Sequence, residues 1–392
     1  MSNNTNYRPT EFLSYGKQQI DNDDISAVVE TLRSDFLTQG PKVEEFEKAL
    51  CDYTGAKYAV AFANGTATLH CAVASLNIEQ NAEAITSPNT FVASSNCMAY
   101  NGIRPVFADI DSKTYNINPQ EILKRISEKT RLIIPVHFAG QPCDMEQIYK
   151  IANKYRLYVI EDAAHAIGSR YADGSMVGNC RYSDMTSFSF HPVKTMTTGE
   201  GGAVTTNSKE LYDKLKLFRS HGITRDPALL QQNHGIWYYE MQDLGYNYRI
   251  TDIQAALGVT QLKKLDRFVD RRRKIVDFYN KRFSSVPCII TPFEASSVRS
   301  AFHLYVLQFD FIKLCINKNE FMNKLKLLNI GTQVHYIPVH IQPYYQKKFG
   351  YKSGDFPIAE SYYEKALSIP LYPKMTDDDA EYVADNIIKL VK

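Results

Sequence analysis

Leu157-Tyr-Val-Ile-Glu-Asp162-Ala-Ala-His165 is an apolar run that ends on two carboxylates and then turns through small residues. A compact run of this length, closed by polar groups, reads as a strand buried on both faces of a sheet. The pattern repeats on either side. Upstream, residues 58–62, 85–88, 104–109 and 132–136 have the same form, and downstream 186–190 and 203–206 continue it. Helical composition separates them at 25–32, 43–50, 66–74, 91–100 and 144–155. Strands alternating with helices predict an α/β fold whose central sheet is mainly parallel, with helices on both faces. In such sheets ligands bind beyond the C-terminal strand ends, so residues just after each run are the candidates for chemistry.

The pattern changes near residue 250. Thr251 and Gln254 have the spacing of a capping box, and Ile253, Leu257, Leu265 and Phe268 then fall on one face of a long helix reaching about Phe283. A strand at 304–309, a helix at 318–328 and two closing helices around Ala359 and Ala380 follow. The expected division is a large domain over 12–255 and a smaller C-terminal α+β domain over 256–392.

Composition narrows the function. The 392 residues are 44% hydrophobic, with 45 Lys and Arg against 43 Asp and Glu. That balance points to neither a nucleic-acid nor a membrane-surface partner. Residues 1–10 are polar and no run is long enough to span a bilayer. The seven cysteines are scattered without zinc-site spacing. Free thiols in a reducing cytoplasm, with no metal, are therefore expected.

Three strand-end segments carry the chemistry. In Ser187-Phe-Ser-Phe-His-Pro-Val-Lys194, followed by Gly199-Glu-Gly-Gly202, a lysine follows a strand in a turn shaped by Pro192 and glycines. Such an amine can form a Schiff base with an aldehyde; taken alone, the segment reads rather as a solvated surface lysine before a turn. Asp162 could hold a heterocyclic nitrogen protonated, or cap the next helix. His165 could donate to a ligand oxygen or be a hydrogen-bonded core histidine. Asn64-Gly65-Thr66 places backbone N–H groups and a hydroxyl where a phosphate could sit, or forms a plain turn with a Thr cap. No GxGxxG or Walker pattern is present.

Together with Leu37-Thr-Gln-Gly40, Pro88-Asn-Thr-Phe91 and Leu244-Gly-Tyr-Asn-Tyr-Arg249, these segments make the chain resemble the DegT/DnrJ/EryC1/StrS sugar aminotransferases over residues 12–390. The resemblance implies a fold-type-I transferase dependent on pyridoxal 5'-phosphate (PLP). It implies that Lys194 bonds the cofactor aldehyde, Asp162 pairs with the pyridine nitrogen, His165 lies near the phenolic oxygen and Phe91 stacks on the ring. Gly65, Thr66 and Ser189 would hold the phosphate or adjoining substrate. Asn247 would reach the cofactor phosphate of a neighbouring subunit, in a homodimer with shared sites. Family dehydratases carry His where Lys194 stands.

Tyr15, Asp35-Phe-Leu-Thr38 and Val334-His-Tyr-Ile-Pro-Val-His340 are similar to the branch of the family that works in pseudaminic acid synthesis. That similarity implies transfer of an amino group from glutamate to C4 of a UDP-linked 4-keto-6-deoxy-N-acetylhexosamine. Tyr15, Asp35, Phe36, Leu37, Thr38, Gly65, Ser189, Asn247, His335, Tyr336, Ile337 and Pro338 would contact the sugar nucleotide. Read without the family, residues 335–338 are an aromatic, Pro-containing loop packed between domains. A dTDP- or GDP-linked keto-deoxysugar, or a non-catalytic PLP-binding regulator, remains an alternative.

Overall fold

A computed structural model describes residues 7–392; the first six residues of the polar N-terminal stretch lie outside them. The strands are β1 (Tyr58–Phe62), β2 (Glu83–Thr86), β3 (Arg104–Phe107), β4 (Thr130–Ile134), β5 (Tyr158–Asp162), β6 (Met185–Ser189) and β7 (Gly202–Thr206). They form one seven-stranded sheet in the order β1-β7-β6-β5-β4-β2-β3. β7 is antiparallel to both of its neighbours, while the other pairings are parallel. The expected α/β fold with a mainly parallel sheet is the one observed. Helices cover both faces through two buried apolar clusters, one holding Phe46, Ile133 and Phe188, the other Val60, Leu69, Leu132 and Ile160. Neighbouring strand residues therefore alternate between two cores, which is why each strand reads as an unbroken apolar run.

β7 returns to the sheet by a glycine-rich turn. A Cβ on Gly202 would stand 2.7 Å from the Phe188 carbonyl oxygen and 2.8 Å from the Thr68 methyl. Only glycine fits where this strand slips between β6 and the helix over β1. The turn folds back onto Phe190, just past β6: Thr198 N–H donates to Phe190 O at 3.0 Å, and Phe190 N–H to Gly201 O at 2.9 Å.

Two short strands, β8 (Ile223–Thr224) and β9 (Glu240–Met241), then form a hairpin. The Thr251–Gln254 capping box is present, but the helix after it breaks. Asp252–Lys263 ends at Lys264, and a second helix runs from Leu265 to Phe283. Lys264 holds φ −102 and ψ −4, and its amine pairs with Asp21 and Asp24. Apolar spacing continues through the break, so it is invisible to periodicity. The chain closes with a three-stranded antiparallel sheet in the order β10 (Ile289–Ile290), β11 (Tyr305–Phe309) and β12 (Ala366–Ile369). Its core includes Tyr279, Phe309, Phe321 and Leu367. Among the described residues no helix is long and apolar enough to cross a membrane, and no cluster of three metal-ligating side chains occurs.

Candidate active site

The C-terminal ends of β1, β5 and β6 converge on one cleft. Beyond β1, Asn64 caps the helix Gly65–Ser75, its side chain accepting from the Ala67 N–H at 2.9 Å. Asn64, not Thr66, is thus the cap. That leaves the N–H groups of Gly65 and Thr66 without a protein acceptor among the described residues. Free N–H groups at a helix N-terminus attract an anion, and the helix dipole adds to them. A Cβ on Gly65 would lie 2.8 Å from Ser189 Cβ, so glycine is what lets the ends of β1 and β6 close into a cradle.

Asp162 ends β5, and its carboxylate is 5% exposed. One oxygen accepts from the Ser94 hydroxyl at 2.6 Å, the other from the Ala164 N–H at 3.1 Å. No helix follows β5, so Asp162 caps none; its carboxylate instead ties the turn that leaves the strand. Next to it in sequence, Glu161 points the other way. It accepts from Tyr171, Ser183 and Thr186 and pairs with His137 at 2.8 Å, bolting β5 into the fold.

Lys194 lies five residues past β6 and is half-buried. Burial pushes its amine down to about 8, and the Asp162 carboxylate opposes that shift. A solvated surface lysine would not be depressed; desolvation of the ammonium is the cause. An amine near 8 is neutral often enough at physiological pH to act as nucleophile or base.

His165 is buried, with Nδ1 accepting from the Ala139 N–H at 3.3 Å and Nε2 3.0 Å from the Tyr336 hydroxyl. Residues 335–340 do not merely fill a seam. Val339 N–H donates to Pro88 O at 2.9 Å, His335 Nδ1 is 2.8 Å from Ser368 Oγ, and Tyr15 packs on His335 with ring centroids 5.0 Å apart. Burial, helped by the nearby Lys194 charge, pushes His335 down to about 3. Phe91 is 58% exposed and stands 6.3 Å from Tyr336. Ile337 is exposed and Pro338 buried.

The remaining predicted residues are not brought to this cleft. Asp35, Phe36, Leu37 and Thr38 are exposed, and their loop is fastened to Asp252, whose N–H donates to Leu37 O at 3.0 Å. Asn247 is exposed too, joined to Ser220 by a backbone bridge. No hydrogen bond or ring contact links either segment to Lys194, Asp162 or His165 among the described residues. Their neighbours Gln39 and Arg249 instead line one cavity of about 800 Å³ with Glu47 and Arg219. Ser94 carried no signal in the sequence, and Asn64 was read only as part of its turn, although the preference of Asn for the N-cap would have assigned it.

A sequence profile describing the DegT/DnrJ/EryC1/StrS aminotransferase family matches residues 18–388. The chain belongs to this family. This aminotransferase is 45% identical to the spore coat polysaccharide biosynthesis protein SpsC of Bacillus subtilis, over 97% of each chain. It is 37% identical to the UDP-4-amino-4,6-dideoxy-N-acetyl-beta-L-altrosamine transaminase of Campylobacter jejuni, covering 97% of this chain and 98% of that one. Among solved structures, PseC of Helicobacter pylori, an aminotransferase of pseudaminic acid biosynthesis, superposes with a TM-score of 0.90 at 32% identity. That alignment covers 97% of this chain and 99% of PseC. The aminotransferase has the fold-type-I architecture, and its enzymatic class is that of a sugar aminotransferase.

Proposed function

We propose that this aminotransferase uses PLP to move an amino group from glutamate to C4 of a UDP-linked 4-keto-6-deoxy-N-acetylhexosamine, as in pseudaminic acid synthesis. The observation that carries the reading is the pairing of Lys194, half-buried just past β6, with the carboxylate of Asp162. Ser94 and the Ala164 N–H fix that carboxylate at the end of β5, and its charge acts on the lysine amine. The residues around them fit the cofactor. The unsatisfied N–H groups of Gly65 and Thr66, with Ser189 against Gly65, suit its phosphate, and Asp162 suits its pyridinium nitrogen. The exposed ring of Phe91 suits its flat face. When bound, PLP supplies an aldehyde for the lysine and an electron-withdrawing ring that stabilises negative charge at the reacting carbon.

The chain's own groups do the rest. Lys194 would bond the aldehyde and, once freed by the incoming amine, act as base, taking the proton from the amino-bearing carbon of the donor and, in the second half, delivering one to the sugar carbon. Asp162 would keep the ring nitrogen protonated. His165 and Tyr336 would bear on the phenolic oxygen, and His335 to Pro338 with Tyr15 would hold the sugar nucleotide.

Asp35 to Thr38 and Asn247 complete the site of a second copy in a homodimer. Support comes from their exposure together with that of Phe36 at 53%, Leu37 at 44% and Leu244 at 71%. Apolar groups on a segment held rigid at its base are suited to an interface. The seven cysteines, all free, suit a cytoplasmic enzyme.

A different nucleotide-linked keto-deoxysugar is the second reading, favoured by higher identity to SpsC than to the altrosamine transaminase. Mass spectrometry of the product from the UDP-keto-sugar plus glutamate separates them. The first reading predicts a new amino sugar and 2-oxoglutarate. Turnover only with dTDP- or GDP-linked ketones supports the second.

A further inference from the structure

His303 has no place in the chemistry above. It is 3% exposed, and its Nδ1 has no hydrogen-bond partner among the described residues. Its ring lies 4.4 Å from that of His165, and His165 is itself close to parallel with Tyr336, at 19° and 6.0 Å. His165 is flanked by two rings.

The mount for His303 is unusual. Arg272, on the helix Leu265–Phe283, is wholly buried and donates Nη1 to the carbonyls of Leu371 at 2.7 Å, His303 at 3.1 Å and Phe302 at 3.4 Å. No carboxylate pairs with it among the described residues, and its Nε and Nη2 have no partner. Burial pushes the guanidinium down to about 9. Burying a cation against carbonyls alone is costly, so stability does not explain its presence. What it does is fix the 302–303 turn, where Phe302 holds a φ of 45° that bulky residues avoid. Gly140 closes the other side. A Cβ there would stand 2.9 Å from Phe302 N and 3.0 Å from both His165 O and His303 N. Three backbone segments therefore meet without intervening side chains.

This mount has a chemical consequence. The Ala139 N–H donates to His165 Nδ1, so that nitrogen carries no proton. Burial, with the charges of Lys194 and His335 adding to it, holds the ring neutral. A neutral imidazole has one N–H, which must then sit on Nε2, facing Tyr336. Tyr336 accepts that bond and keeps its own hydroxyl proton free to donate.

We propose that His303, seated by Arg272, is a positioning residue: its ring holds that of His165 where the Ala139 N–H meets Nδ1, and so keeps His165 as the Nε2–H tautomer. Tyr336 is thereby left as the terminal proton donor of the chain Ala139–His165–Tyr336. His303 acts through its ring, packed 4.4 Å from that of His165. The catalytic consequence rests on the function proposed above; the tautomer does not.

The test uses the full-length, cofactor-free chain labelled with ¹⁵N-histidine, with His165 assigned by its loss in His165→Gln. Two-bond ¹H–¹⁵N correlation should show His165 with a protonated Nε2 in the wild type. His303→Phe, which keeps the ring, should preserve that pattern. His303→Ala and His303→Gln should average the two nitrogen shifts, and after reconstitution His303→Ala should lower kcat on the order of tenfold with KM little changed. Circular dichroism identifies the variants that fold. Unaltered His165 shifts in a folded His303→Ala or His303→Gln chain would overturn the proposal, as would loss of the pattern in His303→Phe. A chain that takes up no PLP would refute the proposed function while leaving the tautomer result readable.

Discussion

The strand-end cluster and the two outlying segments are built in opposite ways. Asp162, His165, His335 and Tyr336 are tied to their surroundings by hydrogen bonds to Ser94, Ala139 and Ser368 and to one another. Asp35 to Thr38 and Asn247 are exposed and fastened mainly through backbone. The first group has its geometry fixed in one chain, as electrostatic preorganisation requires. The second is a rigid base without a ceiling, the form expected of surface that a partner or substrate covers.

The largest effect should come from the cluster. Lys194→Ala removes nucleophile and base together and should abolish measurable transfer, a loss of roughly 10⁴-fold or more, while leaving the melting temperature close to wild type. Residual sugar amination above background in a steady-state assay would place the chemistry elsewhere.

Asn247→Ala should reduce activity less, and it offers a test that the cluster cannot. Dimers reassembled from Lys194→Ala and Asn247→Ala chains should turn over faster than the parents combined, because one site then has an intact lysine and an intact asparagine from the other chain. If Asn247 served its own chain, mixing would add nothing.

The smallest effect is a shift in titration. The Lys194 amine should react with a small acylating reagent at a rate that rises about tenfold per pH unit and levels off near 8, as read from its labelled peptide. The sign follows from the cause: below that pH the ammonium predominates and is unreactive. Asp162→Ala should move the midpoint lower, since the carboxylate is what resists the effect of burial. An unchanged or higher midpoint would separate the two groups.

The sheet was legible because strands sandwiched between two cores must be apolar on both sides, and β1, β5 and β6 are followed by the polar residues of the site. The reversed sense of β7 was not, since a glycine-rich return resembles any strand-to-helix loop. The break at Lys264 was hidden by apolar spacing that runs through it. Lys194, Asp162 and His165 were readable as a set because strand ends bring them together. Ser94 and His303 were not, as each acts by supporting another side chain and leaves no local pattern.

Borohydride reduction of the PLP-loaded enzyme, followed by peptide mapping, tests the central claim most directly. A single pyridoxyl adduct on the Lys194 peptide, absent from Lys194→Ala, is the predicted result. An adduct on another lysine, or none after demonstrated cofactor uptake, would contradict it.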